Sequence, residues 1–346
     1  MGQEGYFYAM KGIFKITLIV FSLTFVLNLQ AQDVSSLIKE GIQLGNTQNY
    51  AGAIEKYKAA LKLEPNNPSA NYQIAFSLNA SGKGREALPY LQKVVQSESS
   101  IAVISSSYEL MGTIYDQSAQ PQKAIESYQQ GIKVDSASYS LRYNLGLVYF
   151  RNRQYAQAEK NAIEAIKINP KHSGSMRLYA LVSFHQDKRA AALLGFCSFL
   201  WLEPNSNRSA EAYGNIQHIL KGGALKAEPG EMKPHSVDAN TYALNQAITQ
   251  AVVLVAKRRN LLPADQFSEQ LQAIFTAVGA LAKKQGSNDF FHAQLAEYYY
   301  QLAQSANVPA FAHLIRQSAD KTASAWLRNH QQQVAALDNW VKAAKP

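Results

Sequence analysis

A single cysteine, Cys197, leaves this chain unable to close a disulfide of its own, so packing has to hold the fold together. There is no glycine-rich phosphate loop and no His-Glu-x-x-His pair, which excludes the two commonest helical signatures of nucleotide and zinc chemistry. The seven histidines (His172, His185, His218, His235, His292, His313 and His330) include no two that stand three or four apart, the spacing that puts two metal ligands on one helical face. Ser36-x-x-Lys39 and Ser318-x-x-Lys321 match the skeleton of an acyl-transfer motif, but neither is followed by Ser-Asp-Asn or Lys-Thr-Gly partners. The expectation is a protein without catalytic residues, metal or cofactor.

Concentrated charge is lacking too. The formal net charge is +9, but residues 34–206 carry 18 Lys and Arg against 13 Asp and Glu, and residues 207–346 carry 14 against 10. The clusters Lys257-Arg258-Arg259 and Lys283-Lys284 fall at expected helix C-termini, where they meet the negative end of the helix dipole. No nucleic-acid partner is expected from such a distribution.

What is present begins at the amino terminus. Ile16 to Leu27 is twelve residues without a charge, preceded by Lys11 and Lys15 and followed by Leu29-Gln30-Ala31. Basic, apolar and small-residue segments in that order read as a signal peptide, residues 1–31, with Met10 as an alternative start. A helix of that length reaches roughly 18 Å, short of the ~30 Å hydrocarbon layer. The expectation is export to the periplasm of a Gram-negative envelope. The alternative is an uncleaved amino-terminal anchor in the inner membrane, and membrane contact is expected only through such an anchor or through a partner.

Between Val34 and Ser206 the chain repeats one pattern of small and large residues every 34 positions. Gly41, Ala53, Tyr57, Ala60 and Pro65 mark the first unit; Gly146, Ala158, Ala162, Ala165 and Pro170 mark the fourth at the same offsets. Ala180, Ala192, Phe196, Phe199 and Pro204 mark the fifth, and Gly112, Ala124, Tyr128 and Gly131 the third, with Ser136 in the proline place. The second is plainer: Ala75, Ala87, Leu91, Val94 and Ser99. Two helices of a hairpin approach closely only where a small residue permits it, and the large residue one turn on fills the same face. Proline then ends the unit. Short turns such as Gly45-Asn46-Thr47 and Asn79-Ala80-Ser81-Gly82 divide the two helices. Cys197, beside Phe196 and Phe199, belongs to the core of the fifth unit.

This pattern resembles the tetratricopeptide repeat, a helix–turn–helix unit of that length. The resemblance covers about half of the chain and departs from the family in lacking the early tryptophan. It implies an all-α fold: a superhelix, or α-solenoid, of five units at 34–67, 68–101, 105–138, 139–172 and 173–206. Three extra residues, Ala102 to Ile104, separate units two and three. A capping helix at 207–220, a linker at 221–237 and a helical C-terminal domain at 238–346 follow.

In that last block Asp238 caps a helix running to about Arg259, and Leu262-Pro263 opens another that Gly286 ends. Ser287 or Asn288 caps a helix carrying Phe290, Phe291 and Tyr298 to Tyr300. Pro309 starts one that carries Phe311, Leu314, Ile315 and Trp326, and a last helix holds Val334, Leu337 and Trp340. The block resembles the tails of some exported tetratricopeptide proteins of Gram-negative bacteria, a likeness that brings no chemistry with it.

The resemblance also implies where partners bind. First helices line the concave face of the superhelix, and unit positions 2, 5, 9, 12 and 13 face it. Carried over, these are Tyr72, Phe76 and Asn79; Glu109, Thr113 and Asp116; Tyr143, Phe150 and Arg151; and Arg177, Phe184 and His185. Aromatics among Arg and Asn suit a peptide, the rings giving area and the polar groups setting register. The family's carboxylate clamp has Ile38 and Ile42 in its places here, so that specificity is not expected. The reading is a non-catalytic scaffold for protein or peptide partners. A structural envelope component working through its convex face or C-terminal domain, or an enzyme with an unrecognised C-terminal site, stay open beside it.

Overall fold

The computed structural model describes residues 34–222, 237–258 and 263–344, and every regular element among them is helical. The expected signal peptide, most of the expected linker, Arg259 and Leu262 lie outside the described residues. The chain forms two compact units that divide between Ser136 and Ala137.

The first unit holds three helix pairs: α1 (34–46) with α2 (Tyr50–Leu63), α3 (Pro68–Ala80) with α4 (Gly84–Val95), and α5 (Ile101–Gln117) with α6 (Pro121–Val134). The small–large code works as its spacing predicts. Gly41 lies against the Tyr57 ring, and a Cβ at Gly112 would come within 2.6 Å of Tyr128. Around them Ala53, Ile74, Ala75, Leu91 and Ile114 are buried in one cluster.

The second unit continues the pattern with α7 (Tyr139–Arg151), α8 (Tyr155–Ile168), α9 (Ser173–His185) and α10 (Arg189–Leu202), then α11 (Asn207–Leu220). Six more helices follow: α12 (Ala239–Ala256), α13 (Pro263–Gln285), α14 (Glu297–Ala303), α15 (Val308–Arg316), α16 (Lys321–Asn329) and α17 (Gln331–Ala343). A π-helical turn, Phe291–Ala296, leads into α14.

All five repeats share one turn. Gln48, Gly82, Ala119, Arg153 and Asp187 have positive φ, between 52° and 80°. Each is followed by a residue whose amide donates five positions back: Asn49 to Leu44, Lys83 to Leu78, Gln120 to Tyr115, Gln154 to Tyr149 and Lys188 to Ser183, at 2.8–2.9 Å. This is the Schellman closure, which satisfies carbonyls left over at a helix end. Only the second repeat gives the left-handed place to glycine. The other four hold a side chain there, at about 1–2 kcal/mol each.

The three residues between repeats two and three do not form a loop. They lie inside α5, which starts at Ile101 behind the Ser100 cap and runs 17 residues where α3, α7 and α9 run 13. The expected start of repeat three at 105 therefore falls one turn inside its helix.

In the second unit the core runs without interruption from Ala158 to Leu337. The expected division at 221–237 is no division of the core: repeats four and five and the C-terminal helices share it. The reason lies in α10, where Ala190 to Cys197, Phe199 and Leu200 are all buried. A helix apolar on every side needs neighbours on every side. Here α9 and α11 pack on α10 from the repeat array, and α12, α15 and the π turn pack on it from the C-terminal block. Ser198 Oγ meets Tyr299 Oη at 3.0 Å, and Trp201 stacks on Phe311. Burial pushes the Cys197 thiol far up, so it is an inert core group.

Asn245 of α12 ties the two parts by hydrogen bonds. Its Nδ2 donates to the Asp187 carbonyl at 2.6 Å, and its Oδ1 accepts from the Arg189 amide at 2.9 Å. The fifth repeat's turn is thus fixed from outside the repeat array.

Two sequence expectations for the C-terminal block change. The helix from Pro309 ends at Arg316, and Trp326 lies on α16, which Asp320 caps by accepting from the Thr322 amide at 2.8 Å. The cap before the aromatic helix is Asp289, accepting from the His292 amide at 3.0 Å, rather than Ser287 or Asn288.

Candidate functional site

The first helices place their charged and aromatic residues through their caps. Asn67 Oδ1 accepts from the Ala70 amide, Ser138 Oγ from Leu141, and Ser206 with Ser209 closes a reciprocal box on α11. At α9 the cap is His172, whose Nδ1 accepts from the Ser175 amide at 3.2 Å. An imidazole that accepts there is neutral. Burial, and then Arg208, hold His172 below the ordinary histidine range.

In the first unit the face carries Tyr72, Phe76 and Asn79 on α3, with Glu109 and Asp116 on α5. Phe76 is 50% exposed, and Ile42, one repeat earlier at the same place, is 38% exposed. Tyr72 is half-buried; burial and the Glu109 carboxylate raise its hydroxyl pKa, and Ser106 bonds it. Asn79 borders a cavity of about 390 Å³ with Ile114, Gln117 and Ser118. Glu109 and Asp116 are half-buried. Thr113 is turned inward, with its Oγ1 3.1 Å from Tyr128 Oη.

In the second unit two aromatic clusters form. Tyr143 meets His172 edge-on at 4.8 Å, and Tyr139 lies 4.9 Å from the same ring. Phe150 meets His185 edge-on at 5.1 Å, and Tyr155 stacks on His185 at 5.2 Å. The structure thus packs Phe150 of the fourth repeat against His185 of the fifth. It adds Tyr139, Tyr155 and His172, which the unit positions miss because they belong to helix starts and caps. Arg151 is exposed at the end of α7.

Besides Thr113, two further assignments to the face change. Phe184 is only 4% exposed and packs between Phe196 and His218, so it is core. It is turned inward, where the Phe196 ring of α10 and the His218 ring of α11 meet it edge-on. Arg177 is engaged: its guanidinium donates to Glu211 at 2.7 Å, joining α9 to α11 at the equivalent place one repeat on.

The even spread of charge also gives way once the units are known. Residues 34–136 carry nine Lys and Arg and nine Asp and Glu, whereas residues 137–206 carry nine and four. The basic excess of the repeat region therefore belongs to repeats four and five. Among the described residues no group of three His, Cys, Asp or Glu is placed to hold a metal ion. Among them, too, no helix is long and apolar enough to cross a membrane.

Comparison with known families finds the TPR repeat at residues 47–82 and 114–152 and the tetratricopeptide repeat at 139–172. The TPR repeat-containing protein MJ1428 of Methanocaldococcus jannaschii is 25% identical over 174 residues, which is 47% of this chain and 30% of that relative. The chain thus spans less than a third of the length of this curated relative. Among solved structures, MamA aligns at 23% identity over 50% of this chain and 93% of its own, with a TM-score of 0.45. YrrB, described as a TPR protein with an unusual peptide-binding site, aligns at 16% identity over 57% of this chain and 97% of its own, with a TM-score of 0.44.

Proposed function

Because this chain is a tetratricopeptide-repeat protein, we propose that it is a scaffold holding a protein or peptide partner on the face of its first helices. The observation that carries the reading is the recurrence there of large side chains that are exposed, Ile42 and Phe76, or only partly covered at the edge of a core, Tyr72, Tyr143 and Phe150. Such residues supply contact area at low entropy cost, and the neighbouring Asn79, Glu109, Asp116 and Arg151 set register. The protein acts by holding, without chemistry of its own. From the pattern of residues 1–31 we place it on the exported side of the envelope.

The test is affinity capture from solubilised envelope extract with residues 32–346 and with the Tyr72→Ala, Phe76→Ala, Tyr143→Ala variant, both checked for helicity. A partner lost by the variant supports the first-helix face; a partner kept by both overturns it. Mass spectrometry of the mature protein tests export, since processing after Ala31 is expected and an intact amino terminus would favour the anchored alternative. The second reading, an envelope component bound through the C-terminal helices, draws support from α12, where Tyr242 and Leu254 are 58% and 62% exposed.

A further inference from the structure

We infer that a cleft between α8 and the turn leading into α14 is a second binding site, accepting an arginine or lysine side chain from an extended peptide of a protein partner. This goes beyond the first-helix reading and does not rest on it.

The cleft consists of two cavities of about 310 and 530 Å³ that share Glu159, Ile163, Lys188, Asp289 and Phe290. Both volumes fall in the range of ligand pockets, roughly 300–1,000 Å³. The floor is apolar. Phe290 is buried and meets Tyr179 edge-on at 5.0 Å, and Ile163 and Leu244 line the same space.

The smaller cavity is acidic in a basic chain. Glu159, Asp238 and Asp289 line it, with Lys188 and His292 as the basic side chains beside them. Lys188 is held back, its Nζ 2.6 Å from Glu159 Oε2, which also accepts from Gln186 at 2.9 Å. The other two carboxylates are oriented by their own turns. Asp238 accepts from the Thr241 amide and hydroxyl at 3.0 and 2.7 Å, and Asp289 accepts from the His292 amide at 3.0 Å and faces its Nδ1 at 2.9 Å. A carboxylate has about four acceptor positions, so each keeps room for a further donor. Asp238 and Asp289 stand at the amino-terminal ends of α12 and of the helix from Phe291, each held in place by an amide of its first turn.

A planar guanidinium, or an ammonium on its long stem, matches carboxylate walls over an aromatic and aliphatic floor. The larger cavity runs on along α8 past Lys160, Glu164 and Lys167, with charges of both signs for the flanking residues of a peptide. The π-helical turn that positions Phe291 and His292 at the wall is a rare element, met often at functional sites.

The test is an amide NMR titration of residues 32–346 with acetyl-Ala-Arg-Ala-amide and with the same peptide carrying neutral citrulline. Expected are saturable shifts at Thr241, Glu159 and Asp289 to His292 for the arginine peptide alone. Asp238→Asn keeps a good helix cap while removing the charge, and it weakens binding about tenfold. Ile163→Lys, at a half-buried wall position, abolishes it. Equal shifts with citrulline, shifts on α7 and α9 instead, or none with either peptide would overturn the site. The first-helix triple variant leaves these shifts unchanged, so failure of one reading is distinguishable from failure of the other.

Discussion

The second helices of the two units start from one repeat and end in different surroundings. In the first unit α2 buries Ala53, Tyr57 and Ala60, and α4 buries Ala87, Leu91 and Val94; the rest of each helix meets water or its edge. In the second unit α10 buries ten of its 14 residues. A stripe suffices where a helix has neighbours on one side. A helix covered on both sides becomes apolar all round, and the C-terminal helices are that second cover. A repeat stack needs closing ends, and here the closing structure is larger than a single solvating helix.

The largest test of this contrast is at matched positions. Phe196→Ala, in α10, is expected to cost about 3–5 kcal/mol and to unfold the second unit, C-terminal helices included. Hydrogen exchange then shows α7 to α17 losing protection together while α2 to α6 keep theirs. Loss confined to α9 and α10 would break the claim of a shared core. Leu91→Ala, the same place in repeat two, is expected to loosen the first unit alone.

Acid sharpens the contrast next. His313 is buried between Arg316, whose guanidinium lies 2.9 Å from its Nδ1, and the Trp326 ring at 4.1 Å. Burial, and then Arg316, push its pKa down to about 4, with Asp320 and Asp265 opposing. A histidine with a lowered pKa binds its proton more weakly folded than unfolded. Its contribution is therefore complete above the unfolded value of about 6.5 and is lost as pH falls toward 4, roughly 2–3 kcal/mol in all. Urea midpoints of the second unit should fall across that window, and His313→Gln should flatten the fall.

Smaller is the effect of cutting one strut between the repeats and their cover. Asn245→Ala leaves the Arg189 amide and the Asp187 carbonyl without their partner, at about 2 kcal/mol. An unchanged melting temperature would show that the bonds are dispensable. Smallest is the turn. Ala119→Gly removes left-handed strain and is expected to raise the first unit's stability by about 0.5–1 kcal/mol, after the added freedom of the unfolded chain is subtracted. Gly82→Ala should lower it by a similar amount, and thermal melts of the two variants decide the sign.

Much of the fold was legible because repetition made local signals mutually consistent. Gly41 with Tyr57 and Gly112 with Tyr128 meet as their spacing implies, and Asp238 and Pro263 open helices where cap chemistry places them. The break between α15 and α16 was not legible, since no proline or glycine marks residues 317–320 and only the Asp320 cap signals it. On the first-helix face, position alone picked out Tyr72, Phe76 and Tyr143, which lie exposed or half-buried there, but not the packing of Phe150 against His185. It overreached at Phe184 and did not foresee the pairing of Arg177 with Glu211.

The sequence by itself determined the repeats: the helix pairs, their small-residue crossings and the family they belong to. Tertiary structure alone decided what covers each helix. The C-terminal helices join repeats four and five in one core, Phe184 turns inward, and the cleft beside α8 exists only because two distant segments meet there. The physical reason is range. A 34-residue period encodes contacts between neighbours in the chain, which recur and can be read by spacing. Contacts such as Asn245 with Asp187, or Ser198 with Tyr299, occur once and join residues far apart, so no period records them.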